Sequence, residues 1–170
     1  MSPEELVRQV ETGNIHTVVV AFADSYGRLM GKRIDAAFFV ADTLGNGTHV
    51  CDYLLTVDMD MEPMPGYRAA SWELGYGDVH LICDLDSIRP AGWSPGTAWV
   101  MCDVADTTSH LPVTVAPRSM LRRQLQRADE LGLEARGASE LEYFMYTNSY
   151  RQAHESGYSG LEPAGWYIED

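Results

Sequence analysis

The chain has 170 residues, 45% of them hydrophobic and 22% charged, which is the balance of a globular protein with room for one ordinary core or a small domain plus part of another. Twelve Lys and Arg against 25 Asp and Glu give a net charge of −13, which argues against a nucleic-acid groove or an anionic-membrane surface, since both demand clustered cations. The three cysteines, Cys51, Cys83 and Cys102, are widely spaced and form no C-x-x-C pattern, so reduced core thiols in a cytoplasmic protein are expected rather than a disulfide framework or zinc knuckle.

The first twenty residues carry Glu4, Glu5, Arg8 and Glu11 and no apolar run, so they do not read as a signal peptide, and no stretch is apolar enough for a membrane span. Ser2-Pro3-Glu4-Glu5 has the form of a capping box and predicts a short helix that ends at Gly13-Asn14. Residues 16–23 read as a buried strand, Asp24-Ser25-Tyr26-Gly27 as a turn and Arg28 to Ile34 as the returning strand of a hairpin. The cations of Gly27-Arg28-Leu29-Met30-Gly31-Lys32-Arg33 fit a solvated hairpin strand, because the glycine spacing is not that of a phosphate loop.

Asp35 to Leu44 is expected to be a short helix and Cys51 to Val57 an apolar strand. The alternating acids Asp58, Asp60 and Glu62 suggest a calcium loop, but Pro63 stands where an EF-hand needs glycine, which leaves an acidic loop. Asp78 to Leu85 and Thr97 to Val104 read as strands, and the polar run from Asp106 to Pro112 marks a domain boundary. Pro117 opens the clearest helix, with Leu121, Leu125, Ala128 and Leu131 at helical spacing and Gly132 at its C-terminal cap.

Behind that helix comes Gly137-Ala138-Ser139-Glu140-Leu141-Glu142-Tyr143-Phe144-Met145-Tyr146. In a strand, Glu140 and Glu142 would share one face roughly 6.5–7 Å apart. Apolar residues on both faces predict a strand buried on both sides, where two carboxylates need a cation. On local evidence alone a strand end with solvated glutamates is the simpler reading. Residues 150–170 are rich in Gly and polar residues and supply no element that would close a second core.

Taken in order, these parts resemble the glutamine synthetase family. Asp24 to Arg33 resembles its D-x-x-G-x-x-R-G-K element, with Met30 where Arg is usual. Ser71-Trp72, Gly77 to Asp84, Pro90 to Trp93 and Cys102-Asp103-Val104 follow the spacing of its N-terminal β-grasp domain. Pro117-Arg118-Ser119-Met120-Leu121 resembles the P-R-x-x-L that opens its catalytic domain, and Ala138 to Tyr146 its G-x-E-x-E-F-F-L-F metal strand, with Ala138 in place of Gly.

The resemblance implies an α+β chain: an N-terminal helix over 1–14, a β-grasp-like domain over 15–110, and the beginning of a glutamine-synthetase-type catalytic α/β domain over 111–170. It implies a cytoplasmic, ATP-dependent ligase that assembles as a homo-oligomeric ring and uses Mg2+ or Mn2+. That ligase would phosphorylate the glutamate γ-carboxylate and pass it to ammonia or another amine. By resemblance Glu140 would hold the metal that bridges the ATP phosphates and Glu142 the metal beside glutamate.

The family's F-D-G-S-S-I motif, whose Asp serves ammonium in the neighbouring subunit's site, is replaced here by Val50-Cys51-Asp52-Tyr53-Leu54-Leu55. Asp52 is the candidate for that catalytic role and Asp58 a weaker one. The departure makes a branch that takes a polyamine, ethanolamine or another amine the alternative, and a non-catalytic assembly module a third reading. The remaining metal, glutamate and nucleotide ligands of the family have no counterpart up to Asp170, so the chain alone is expected to be inactive.

Overall fold

A computed structural model describes residues 1–68 and 70–165. The chain divides into two compact units, Met1–Glu134 and Ala135–Asp170.

The first unit begins with helix α1 (Pro3–Glu11), where the Ser2 hydroxyl accepts the Glu5 N–H at 3.2 Å and Pro3 occupies the first turn. Six strands follow: β1 (Thr17–Ala23), β2 (Leu29–Asp35), β3 (Thr48–Cys51), β4 (Asp78–Cys83), β5 (Arg89–Pro90) and β6 (Thr97–Asp106). They form one mixed sheet in the order β2-β1-β6-β4-β3, with β5 also on β6. The β1–β2 hairpin is antiparallel, β1 runs parallel to β6, and β4 runs antiparallel to both β6 and β3.

Side chains alternate across the pleat, so each strand gives every second residue to one core. Val18, Val20 and Phe22 of β1 meet Ala98, Val100, Cys102 and Val104 of β6, Val79 and Leu81 of β4, and Val50 of β3. Helix α2, over residues 36–46, adds Ala36 and Phe39 to that core and passes through a π-helical segment at Phe39–Thr43.

The hairpin turn explains why Asp24 and Gly27 stand where they do. Asp24 Oδ1 accepts the backbone N–H of Tyr26 at 2.9 Å and of Arg28 at 2.8 Å, and Oδ2 accepts Arg28 Nε–H at 2.7 Å. Gly27 has φ +80°, a conformation that L side chains resist. The Arg28 guanidinium also donates to the carbonyls of Met59 (2.9 Å) and Asp58 (2.8 Å), tying the hairpin to the acidic loop. Gly31 serves close approach instead: a Cβ there would lie 1.9 Å from the Val20 carbonyl oxygen on β1.

Helix α3 (Pro117–Glu130) forms as expected, yet its apolar stripe is not packed, with Leu121 59% and Leu125 43% exposed. Polar ties hold its first turns. Arg118 Nε donates to Asp103 Oδ1 at 2.9 Å and its NH2 reaches Asp84, while Arg122 NH2 lies 2.9 Å from Asp103 Oδ2.

Two sequence expectations need correction here. The strand expected over Cys51 to Val57 is only Thr48–Cys51, after which a 3-10 turn (Asp52–Leu55) buries Leu55 and brings the chain round to a buried Val57. Apolar content alone does not separate a strand from a buried turn. The strand expected over 137–146 forms no ladder among the described residues: Tyr146 makes an isolated bridge to Pro163, and Leu141 is 87% and Phe144 83% exposed. A strand needs a neighbour for its N–H and C=O groups, and the neighbour that residues 163–164 provide reaches only Met145 and Tyr146.

Among its described residues the second unit has one helix, α4 (Tyr150–Glu155), in a stretch whose Gly and polar content predicts a loop. Its signal is a capping box in which Ser149 and Gln152 satisfy each other's backbone N–H groups. Thr147 N–H to Glu162 O and Ala164 N–H to Met145 O, both 2.9 Å, close the chain around it.

Candidate functional site

The site begins where β3 ends. Cys51 pairs with Asp78 across the β3–β4 ladder, and Asp52 then grips the residue before β4. Asp52 N–H donates to Gly77 O at 2.9 Å, and Gly77 N–H donates to Asp52 Oδ2 at 3.0 Å. Asp52 Oδ1 is out of solvent with no hydrogen-bond partner. Burial outweighs the bonds from the Gly77 and Tyr53 N–H groups and, with the nearby Asp78 charge, pushes this carboxyl above the ordinary carboxylate range.

Aromatic residues flank this Asp52–Gly77 contact in the chain and touch one another. Tyr53 meets Tyr76 edge-on at 5.9 Å between centroids, and Tyr76 meets Trp72 at 6.4 Å, also edge-on. Trp72 is 81% exposed, so much of its surface is open to a partner or ligand. Sequence reasoning names Asp52 as a candidate but not the aromatic residues. The signal was present as Tyr53 beside the acid and Trp72 and Tyr76 before β4, but it takes the β3–β4 register and the Asp52–Gly77 bonds to join the two stretches.

Asp58, the weaker candidate, is committed elsewhere. Its Oδ1 accepts the N–H groups of Asp60 (2.8 Å) and Glu62 (2.9 Å), so it closes the acidic loop on itself.

Glu140 and Glu142 are exposed, on a stretch of the second unit outside any helix or strand. Among the described residues no group of three or more His, Cys, Asp or Glu side chains could hold a metal ion. The two carboxylates are the oxygen donors that a hard divalent cation takes, but two donors do not make its shell of six or more. The donor type fits and the donor number does not, so no reaction step is assigned to a metal here.

Two open grooves flank the sheet. One, of about 290 Å³, is lined by Val19, Met30, Lys32, Arg33, Trp93 and Trp99, and the other, of about 520 Å³, by residues that include Gln9, Asn14 and Pro90 to Gly92. Neither contains Asp52, Glu140 or Glu142. Among the described residues no helix is long and apolar enough to cross a membrane.

The mixed sheet and helices are similar in fold to two solved structures. The GmaS/ADP complex matches 74% of the chain at TM-score 0.56 and 25% identity, and GmaS without ligand matches 72% at TM-score 0.54 and 24% identity. The chain covers 26% and 25% of those structures.

Sequence relatives agree. The chain is 44% identical to gamma-glutamylethanolamide synthetase GlnA4 of Streptomyces coelicolor over 167 residues, 98% of the chain and 36% of the relative. It is 27% identical to a glutamate–isopropylamine ligase of a Pseudomonas species, over 91% of the chain and 33% of the relative. It is 23% identical to type-1 glutamine synthetase 2 of Dictyostelium discoideum, over 96% of the chain and 31% of that relative. No family model matches the chain.

The chain belongs to the glutamine synthetase family. It spans about a third of the length of the curated relatives that it matches.

Proposed function

We propose that the protein carrying this chain is an ATP- and divalent-metal-dependent ligase that joins the γ-carboxyl of glutamate to a small organic amine, with ethanolamine the first candidate. The observation that carries this reading is the 44% identity to a gamma-glutamylethanolamide synthetase across nearly the whole chain. In the proposed reaction a glutamate γ-carboxylate oxygen attacks the terminal phosphorus of ATP and ADP leaves. The amine nitrogen then attacks the acyl carbon of γ-glutamyl phosphate, phosphate leaves, and the ammonium group gives up its proton.

Asp52 is the proposed acceptor of that proton, acting in the site of a neighbouring subunit of a homo-oligomeric ring. Its raised affinity for a proton and its unpartnered Oδ1 support the role. Glu140 and Glu142 are proposed as two ligands of a metal cluster completed by donors other than those in this chain. Cations held there would supply positive charge to the anionic oxygens that phosphoryl transfer to a carboxylate brings together. With two donors in place, the chain on its own is expected to show no turnover.

The hairpin β1–β2, helix α2 on the shared core and β6 parallel to β1 support a β-grasp reading of the first unit. A cytoplasmic location is part of the same proposal, in keeping with three cysteines that form no C-x-x-C pattern.

Ammonia is the second reading for the acceptor, favoured by the match to a type-1 glutamine synthetase. Amide formation by the intact protein from glutamate, ATP and each of ethanolamine, isopropylamine, a polyamine and ammonia separates the two. Faster turnover with ethanolamine supports the first reading, and turnover confined to ammonia overturns it.

A further inference from the structure

We propose that Cys83 and Cys102 form an oxidative modification site, closing to a cross-strand disulfide when a peroxide attacks Cys83. The two residues are direct partners in the β4–β6 register, with their sulfurs 3.9 Å apart. Asp84 N–H donates to Met101 O at 2.8 Å, which bonds the residue after Cys83 to the one before Cys102. That pattern makes Cys83 and Cys102 a non-hydrogen-bonded antiparallel pair, the closer of the two pair types, with Cα atoms about 4.5 Å apart. The spacing lies within the range that a disulfide spans, so closure asks for side-chain rotation rather than movement of the strands.

The two thiols are not equivalent. Cys83 is partly exposed, and its sulfur accepts a hydrogen bond from the Cys102 thiol, which holds the Cys83 pKa below the ordinary thiol range. Cys102 is fully buried, and donating that bond, together with burial, pushes its own pKa up. Cys83 is therefore the attacking sulfur and Cys102 the resolving one.

In the first step the Cys83 thiolate attacks one peroxide oxygen, the O–O bond breaks, and hydroxide leaves to become water, giving a sulfenic acid. In the second the Cys102 sulfur attacks the Cys83 sulfur, the S–O bond breaks, and a second water leaves with the Cys102 proton. Two thiols and one peroxide thus give one disulfide and two waters. The bond would sit one residue from each of Asp84 and Asp103, the acids that hold Arg118.

Cys51 is exposed, and among the described residues the other two thiols pair with each other rather than with it. The test is peroxide treatment of the full chain carrying Cys51→Ser, followed by alkylation and mass spectrometry. Trypsin leaves Cys83 and Cys102 on one peptide, because Arg89 precedes Pro90. The expected result is a peptide lighter by two hydrogens, blocked to alkylation and restored by dithiothreitol. In Cys102→Ser the sulfenic acid should persist at Cys83 and react with dimedone. If Cys102→Ser does not fold, Cys83→Ser provides the control, and its Cys102 should stay unoxidised. Sulfinic acid at Cys83 with Cys102 still free, or two alkylatable thiols after excess peroxide, would overturn the proposal.

Discussion

Arg118 Nε donates to Asp103 Oδ1 at 2.9 Å, so the first turn of α3 is held to the central strand of the sheet by a charged hydrogen bond. Asp84, just beyond the end of β4, takes the other arm of the same guanidinium. Since the leucine stripe of α3 is exposed, this clamp rather than apolar burial fixes the helix. Arg118→Met should cost about 1–2 kcal/mol, because it removes charged bonds and leaves two acids facing Arg122 alone. Arg122 is 57% exposed, and Arg122→Ala should cost no more than about 0.5 kcal/mol. Urea unfolding of the two variants checks the ranking, and equal costs would contradict it.

Asp24 gives a pH dependence of definite sign. Burial opposes its charge, but the Arg28 side chain and the backbone N–H groups of Arg28 and Tyr26 prevail and hold the carboxyl below its ordinary range. A depressed folded-state pKa stabilises the fold fully above the unfolded value, and that contribution is lost as pH falls through the folded one. Asp24→Asn should therefore be less stable than wild type near pH 7, by about 1–3 kcal/mol. The gap should narrow as acid protonates the wild-type side chain. Denaturant midpoints measured from neutral to acid pH test this, and a gap independent of pH would rule out the charge as its source.

Asp52 has the opposite sign. Its folded-state pKa is raised, chiefly by burial, so the charged form costs stability above that pKa and the cost disappears once both states are protonated. Asp52→Asn should raise the unfolding midpoint at neutral pH, with the gain fading in acid. In the intact protein the same variant should lose amide formation by about 10²-fold or more, the usual scale for a proton-transfer group. A variant that is less stable at neutral pH and fully active would contradict the assignment.

Gly31→Ala should cost about 3 kcal/mol, since its Cβ meets the backbone oxygen of Val20 rather than a side chain that could yield. Thermal unfolding is sufficient to measure it. A loss below about 0.5 kcal/mol, the scale of an ordinary surface change, would mean that β1 and β2 separate easily at this pair.

What could be read from the sequence follows the range of the forces involved. The hairpin, β4, β6 and the Pro117 helix were legible because each carries its own period and its own punctuation, such as Asp24 and Gly27 at the turn and Pro117 at the helix start. β3 was placed too late, because Leu55 and Val57 are apolar for the sake of a buried turn rather than a ladder.

Glu140 and Glu142 were legible as a motif but not as a site, since a strand and a metal shell both depend on partners distant in sequence. The same limit hid the pairing of Cys83 with Cys102 and the contacts among Tyr53, Tyr76 and Trp72, which only register and the Gly77 contact bring together.

The central claim is a glutamate–amine ligase, and ADP release by the intact protein with ATP and Mg2+ tests it most directly. The account predicts release that requires both glutamate and an amine, is fastest with ethanolamine, yields one amide per ADP, and is abolished by Glu142→Ala. No glutamate-dependent release with ethanolamine, isopropylamine, a polyamine or ammonia would contradict it.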